Sequence, residues 1–240
     1  MDWLFAAIDS SRPHAVGWHV SWHGRFMVVG WGVLVPLGVL AARYFKVLPG
    51  QRYPEVLDVR VWWHTHLTAQ ICALAMSLVA IVLILTEPGP IVSLTAASWL
   101  HRALGWSIAM LAVMQGLSGL SRGTRGGPGQ ILLRGDHYDM SPRRLAFEVL
   151  HKTMGHVALA LAGAAVLTGM WQANAPVWMW IVIPGWWMLL AGFFAVFERR
   201  GMVVDTYEAI WGPDPSHPGN ARRRQAMAAR GDPDGGRSDR

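Results

Sequence analysis

Apolar and polar positions alternate along this chain in blocks, not in a short period. Five apolar runs, at about 16–44, 61–85, 96–119, 145–171 and 177–197, are each long enough to cross a bilayer as a helix. The polar segments between them carry turn signals: Lys46 to Arg60, then Glu87 with Pro88, Gly89 and Pro90, the Arg- and Gly-rich stretch from Arg122 to Arg144, and Asn174 with Pro176. Pro36 interrupts the first run, where a kink is expected, because neighbouring helices can satisfy the carbonyl a proline leaves unbonded. Residues 1–15 read as a short interfacial helix with Trp3, Leu4, Phe5 and Ile8 on one side, ended by Pro13. Residues 201–240 are rich in Pro, Gly, Asp and Arg and read as a largely disordered tail. The expected fold is all-α: an integral membrane bundle of five helices, with residues 16–200 as its single membrane domain.

Composition agrees with this pattern. A hydrophobic content of 52% with only 15% charged residues is wrong for an ordinary soluble domain. The net charge of +6 does not indicate nucleic acid, because the basic residues sit between apolar runs, where they set membrane orientation. They concentrate after the first, third and fifth runs, so the N-terminus is expected outside and the C-terminus in the cytoplasm, with membrane lipid as the surrounding partner. Arg outnumbers Lys nineteen to two, a bias of GC-rich bacterial genomes, so the expected location is a bacterial inner membrane. Asp2 and a short apolar start do not resemble a cleaved leader. Cys72 is the single cysteine, which excludes internal disulfides, thiolate clusters and covalent haem attachment through a CxxCH motif.

Chemistry enters with a repeated spacing. His101, Gly105 and Gly119 recur as His151, Gly155 and Gly169: a histidine, a glycine four residues on, and a second glycine fourteen residues later. At about 100° per residue these offsets share one helix face. Such a face offers an imidazole beside a surface cleared for something wide and flat, which points to a noncovalently held haem. Close helix packing through glycine is the competing reading.

Helix direction then pairs the histidines. The first and third spans enter from outside, placing His23 and His101 at one shallow depth; the second and fourth enter from the cytoplasm, placing His66 and His151 together at the other. The two levels are separated by about 15–20 Å along the membrane normal. Because neighbouring spans are antiparallel, Gly119 reaches the depth of His151 and Gly169 that of His101. Arg25 and Arg102 are candidate partners for the propionates of an outer haem; Arg60, Arg144 and Lys152 for those of an inner one. Among the other histidines, His19 shares the face of His23 and is a rival ligand, though its shallower position favours an interfacial role; His64 lies on a different face from His66, and His156 is rotated from His151 and reads as a bonded helix residue. His14, His137 and His217 fall in loops or tail and read as solvated.

The run His23, Gly24, Arg25, Phe26, Met27, then Trp31, Pro36, Leu37, Gly38 and Ala42, Arg43, Tyr44, Phe45 resembles the first core helix of the eukaryotic-type cytochrome b561 domain, especially the form joined to DOMON domains. Trp62, His66 and Gln70 resemble its second helix, His101 and Gly105 its third, Arg144, His151 and Gly155 its fourth. The resemblance covers roughly residues 20–175. It implies two haems b with bis-His ligation, His23 with His101 and His66 with His151, in a four-helix core that passes single electrons across a membrane.

The expected function is therefore electron transfer between a one-electron donor on one face and an acceptor on the other, as a ferric, quinone or ascorbate-type reductase. A structural or accessory subunit of a larger photosynthetic or respiratory complex is the alternative, and a homodimer is compatible with either.

Overall fold

Each apolar run forms one helix. The computed structural model describes residues 2–86, 95–126 and 134–229, and in it α1 spans Trp18–Tyr44, α2 Val61–Thr86, α3 Ala96–Leu120, α4 Pro142–Gln172 and α5 Val177–Arg199. All five are long and apolar enough to cross a membrane. The start of α3 is set by Thr95, whose side chain accepts from the Ser98 amide. α4 begins three residues earlier than hydropathy implies. Ser141 caps it by accepting from the Arg144 amide, and Pro142 occupies the first turn, where no N–H is needed. The expected turn at Glu87 to Pro90 lies outside the described residues.

α1 packs along α2, and α3 along α4. Small residues let these backbones approach: an added Cβ at Gly30 would rest on Ala73, and one at Gly38 would fall 2.6 Å from the Gln70 amide nitrogen. Ile108, Ala162 and Ala165 form a central cluster, with Trp31, Leu104 and Leu161 packed against it. α5 lies outside this core, bringing Met179, Trp180, Ile183 and Trp187 against Val166, Met170 and Ala175.

The kink expected near Pro36 takes a specific form. α1 widens into a π-helical segment at Val28–Leu34, immediately before the proline. The Gly32 carbonyl, which an ordinary residue at position 36 would bond, receives the indole N–H groups of Trp186 at 3.0 Å and Trp187 at 3.2 Å. Two tryptophans of α5 thus replace the lost backbone donor.

Residues 1–15 do not form the expected helix. Asp2–Leu4 make one 3-10 turn, and the rest is a strap across the α4–α5 turn, with Ala7 bridged to Pro176. Asn174 holds the strap, which explains why amphipathic spacing misleads here. It is 1% exposed, with φ 48, and its amide accepts from the Asp9 N–H at 3.1 Å and donates to the carbonyls of Asp9 and Arg12, each at 2.9 Å. Asn174→Ala is expected to lower stability by about 1–3 kcal/mol by stranding these groups. Limited proteolysis should then cut within residues 1–15 faster than in the wild type.

The tail also departs from expectation, since it is folded as far as residue 229. α6 spans Thr206–Trp211 and α7 Pro218–Ala229. Asp205 caps α6 by accepting from the Tyr207 amide at 2.7 Å. Tyr207 and Trp211 are buried, and the Tyr207 hydroxyl donates to the Tyr138 carbonyl. Gly219 lies so close to Tyr207 that a Cβ would sit 2.7 Å from its ring. The Asp58 amide donates to Ala209, so the tail ties the loop before α2 to the loop before α4. Average composition hid an N-cap and two aromatics spaced one turn apart. Residues 230–240 lie outside the described residues.

Candidate functional site

His23 and His101 meet between α1 and α3. Their ring centroids are 6.3 Å apart and their planes 74° apart. The Nδ1 of His23 bonds the Ala80 carbonyl of α2 at 3.0 Å; that of His101 bonds the Ala165 carbonyl of α4 at 3.0 Å. A carbonyl only accepts, so in both rings Nδ1 carries the proton and donates. Nε2 is left as the lone-pair nitrogen.

At the other level, His66 on α2 donates from Nδ1 to the Gly38 carbonyl of α1 at 3.0 Å. His151 on α4 bonds Ser118 of α3 through Nδ1 at 2.9 Å. The Ser118 hydroxyl also reaches the Gln115 carbonyl at 2.9 Å; when it donates there it accepts from His151, whose ring is then the Nδ1–H tautomer. Phe147 stacks on His151 at 5.1 Å, and Trp63 lies 6.5 Å from His66.

The arrangement is thus fourfold. Each histidine is oriented by a partner on a neighbouring helix, and among the described residues no Nε2 of the four enters a hydrogen bond. Two trans imidazoles on one metal, with bonds of about 2 Å, would have centroids separated by roughly 6 Å, and the first pair meets this condition. No group of three or more His, Cys, Asp or Glu side chains gathers among the described residues. His23 and His101 are thus a pair of imidazoles open to a group that brings its other ligands with it.

The four glycines divide. A Cβ on Gly169 would lie 2.9 Å from the His101 ring, so this glycine makes room for the imidazole itself. One on Gly155 would lie 3.2 Å from the Gln115 amide, which donates to the His151 carbonyl. At Gly105 and Gly119 a Cβ would meet no described atom within 4 Å.

The basic residues divide as well. Arg25 is exposed, with its guanidinium 5.1 Å from the Trp22 ring centre, and Arg102 is exposed at the same level. Arg144 and Lys152 both engage Glu148, at 2.9 and 3.3 Å. Sequence reading assigned them to propionates and overlooked Glu148, although it follows Arg144 at the four-residue spacing of a helical ion pair. Arg60 bonds Asp58, and Arg122 sits 4.3 Å over Trp63.

His64 is exposed, and His156 bonds the Lys152 carbonyl, as their helix phases imply. His137 and His217 are not solvated. His137 is 6% exposed, packs edge-on to Trp211 at 4.6 Å, and points Nε2 at Glu148 from 4.0 Å; His217 packs against Tyr138. Burial, followed by Arg144, Arg125, Arg122 and Lys152, pushes the His137 pKa down to about 3. Lys46 is buried by the tail, donates to the Val204 carbonyl at 2.8 Å, and is lowered to about 8, chiefly by burial.

Comparison with known proteins gives distant relatives. The chain is 30% identical over 151 residues to ferric-chelate reductase 1 of Mus musculus and 29% identical over the same length to that of Bos taurus; each match covers 62% of this chain and 22% of the relative. It is 26% identical over 148 residues to the cytochrome b561, DM13 and DOMON domain-containing protein of Arabidopsis thaliana, covering 62% of this chain and 14% of that one. The chain therefore spans less than a quarter of the length of these relatives. No family model matches it. No solved structure matches it significantly.

Proposed function

We propose that the chain is a transmembrane electron conduit holding two haems b, one between His23 and His101 and one between His66 and His151. The observation that carries this reading is a shared orientation: four half-buried histidines within the spanning helices, each with Nδ1 engaged by a neighbouring helix and Nε2 outside those bonds. When bound, the haems would supply reversible one-electron chemistry, with the four histidines as the residues that would hold them. The protein's part is to orient the imidazoles. Ala80, Ala165, Gly38 and Ser118 serve as orienting acceptors, and their hydrogen bonds raise the basicity of each Nε2. Arg25 and Arg102, exposed beside the first pair, would face its propionates. At the second, Arg144 and Lys152 act together with Glu148. Names of the relatives suggest a ferric chelate as acceptor at one face, with a one-electron donor at the other.

Gly169→Val is expected to push against the His101 ring and weaken the first haem by roughly 5- to 150-fold, from an overpacking cost of about 1–3 kcal/mol. Haem titration of the apoprotein measures this, with the second site as internal control.

The function itself is tested in sealed vesicles containing the purified protein, with trapped dithionite and external ferricyanide. Haem-dependent reduction of the external ferricyanide is expected. Ferricyanide reduction no faster than in protein-free vesicles, with both haems bound, would contradict the proposal.

A further inference from the structure

Between the two histidine levels α1 carries a half-buried indole, Trp31. Trp31 lies eight residues beyond His23, about 12 Å along α1. The groups it meets on the other helices lie nearer the first level: Ser77 is three residues from Ala80, which accepts from His23, and Ala165 of the neighbouring cluster accepts from His101. Ser77 is eleven residues beyond His66, about 16 Å along α2. Ile108 is seven residues beyond His101, about 10 Å along α3. Ala162 is eleven residues beyond His151, about 16 Å along α4. The ring packs against the cluster of Ile108, Ala162 and Ala165.

Packing alone does not call for tryptophan here. An indole N–H at this depth is costly unless bonded, and a phenylalanine or leucine would fill space with no polar group to satisfy. The chain supplies a partner instead: Trp31 Nε1–H donates to Ser77 Oγ at 3.0 Å, and Ser77, 8% exposed, passes its own proton donor to the Ala73 carbonyl at 2.7 Å. The ring is thereby fixed in orientation as well as position. It also sits inside the π-helical segment of α1, between Gly30, which lies on Ala73, and Gly32, whose carbonyl is held by α5. A π-bulge re-aims side chains relative to a regular helix, and such segments recur at functional sites.

We infer that Trp31 is the bridge between the two redox levels, the side chain whose orbitals couple them. This rests on the two-haem reading. One electron is lost at one level and gained at the other in a single tunnelling event; the indole is neither oxidised nor deprotonated, and its N–H stays on Ser77. An aromatic ring couples better across such a distance than a saturated side chain of the same volume, because its π orbitals lie closer in energy to the transferring electron.

The experiment uses the holoprotein with two haems, Trp31→Leu and Trp31→Phe. Haem content and the two midpoint potentials are measured first. A single haem per chain in the wild type defeats the two-haem reading and the bridge with it, whereas two bound haems with unaltered transfer defeat the bridge alone. With both haems bound and potentials unchanged, laser-triggered electron equilibration between them should be several-fold slower in Trp31→Leu and intermediate in Trp31→Phe. Unchanged rates in both variants would overturn the inference. So would loss of either haem in both variants, since Trp31 would then be a pocket wall. A second readout needs no electron transfer: the emission lost between wild type and Trp31→Phe should be quenched in two stages as haem is titrated into the apoprotein. Quenching by only one of the two additions would place the ring beside one level and overturn the bridge.

Discussion

His101→Ala is expected to abolish the haem of the first level and leave the second intact, with His66→Ala doing the reverse. The two pairs are built on the same four helices, but their supports do not overlap. His23 and His101 are oriented by Ala80 and Ala165, whereas His66 and His151 are oriented by Gly38 and Ser118. Removing one imidazole leaves its partner's hydrogen bond in place and opens one axial position. Low-spin b-type bands of one haem should vanish or become high-spin while those of the other persist. Loss of both spectra from a protein that still shows five-helix circular dichroism and normal melting would refute the pairing.

The second large effect concerns the folded tail. Trp211→Ala removes a ring that is 6% exposed and packed on His137, Tyr138 and Tyr207. A cost of about 3–5 kcal/mol is expected for such a truncation, enough to release α6 and α7 locally. His137 supplies a pH signature of the same contact. Its folded pKa of about 3 lies below the ordinary value of 6.5, so the opened state takes up a proton first. The stability of the closed tail is complete above that ordinary value and falls as pH drops toward the folded one, by up to about 1.4 kcal/mol per pH unit. Protease cleavage in the tail should accelerate on acidification in the wild type. In Trp211→Ala cleavage should be fast throughout, and in His137→Phe the acid-dependent acceleration should largely disappear. A tail cut at the same rate in all three proteins contradicts the packing described.

What the sequence made legible follows from the forces involved. Hydropathy located the five spans to within a few residues, because a bilayer imposes length and polarity on every one of them. Alternating helix direction brought His23 to His101, since depth is read directly from position along a span. The orienting partners were invisible, because three are backbone carbonyls on other helices and carry no residue-type signal. Ser118 stands beside Gly119, so the depth was right and the residue was missed. The glycine pattern was only partly informative: Gly169 makes room for a histidine ring and Gly155 contacts Gln115, distinctions that spacing on a single helix cannot express. The strap and the tail failed for a common reason. Each is held by a few specific polar and aromatic contacts, through Asn174 in one case and Tyr207 and Trp211 in the other, that averages over composition dilute.

Haem stoichiometry tests the central claim most directly. The purified chain, assayed as pyridine haemochrome against quantitative amino-acid analysis, should give two haems b per polypeptide, both low-spin when oxidised. One haem per chain, or two of which either is high-spin and binds an exogenous ligand, would contradict the assignment of two closed histidine pairs.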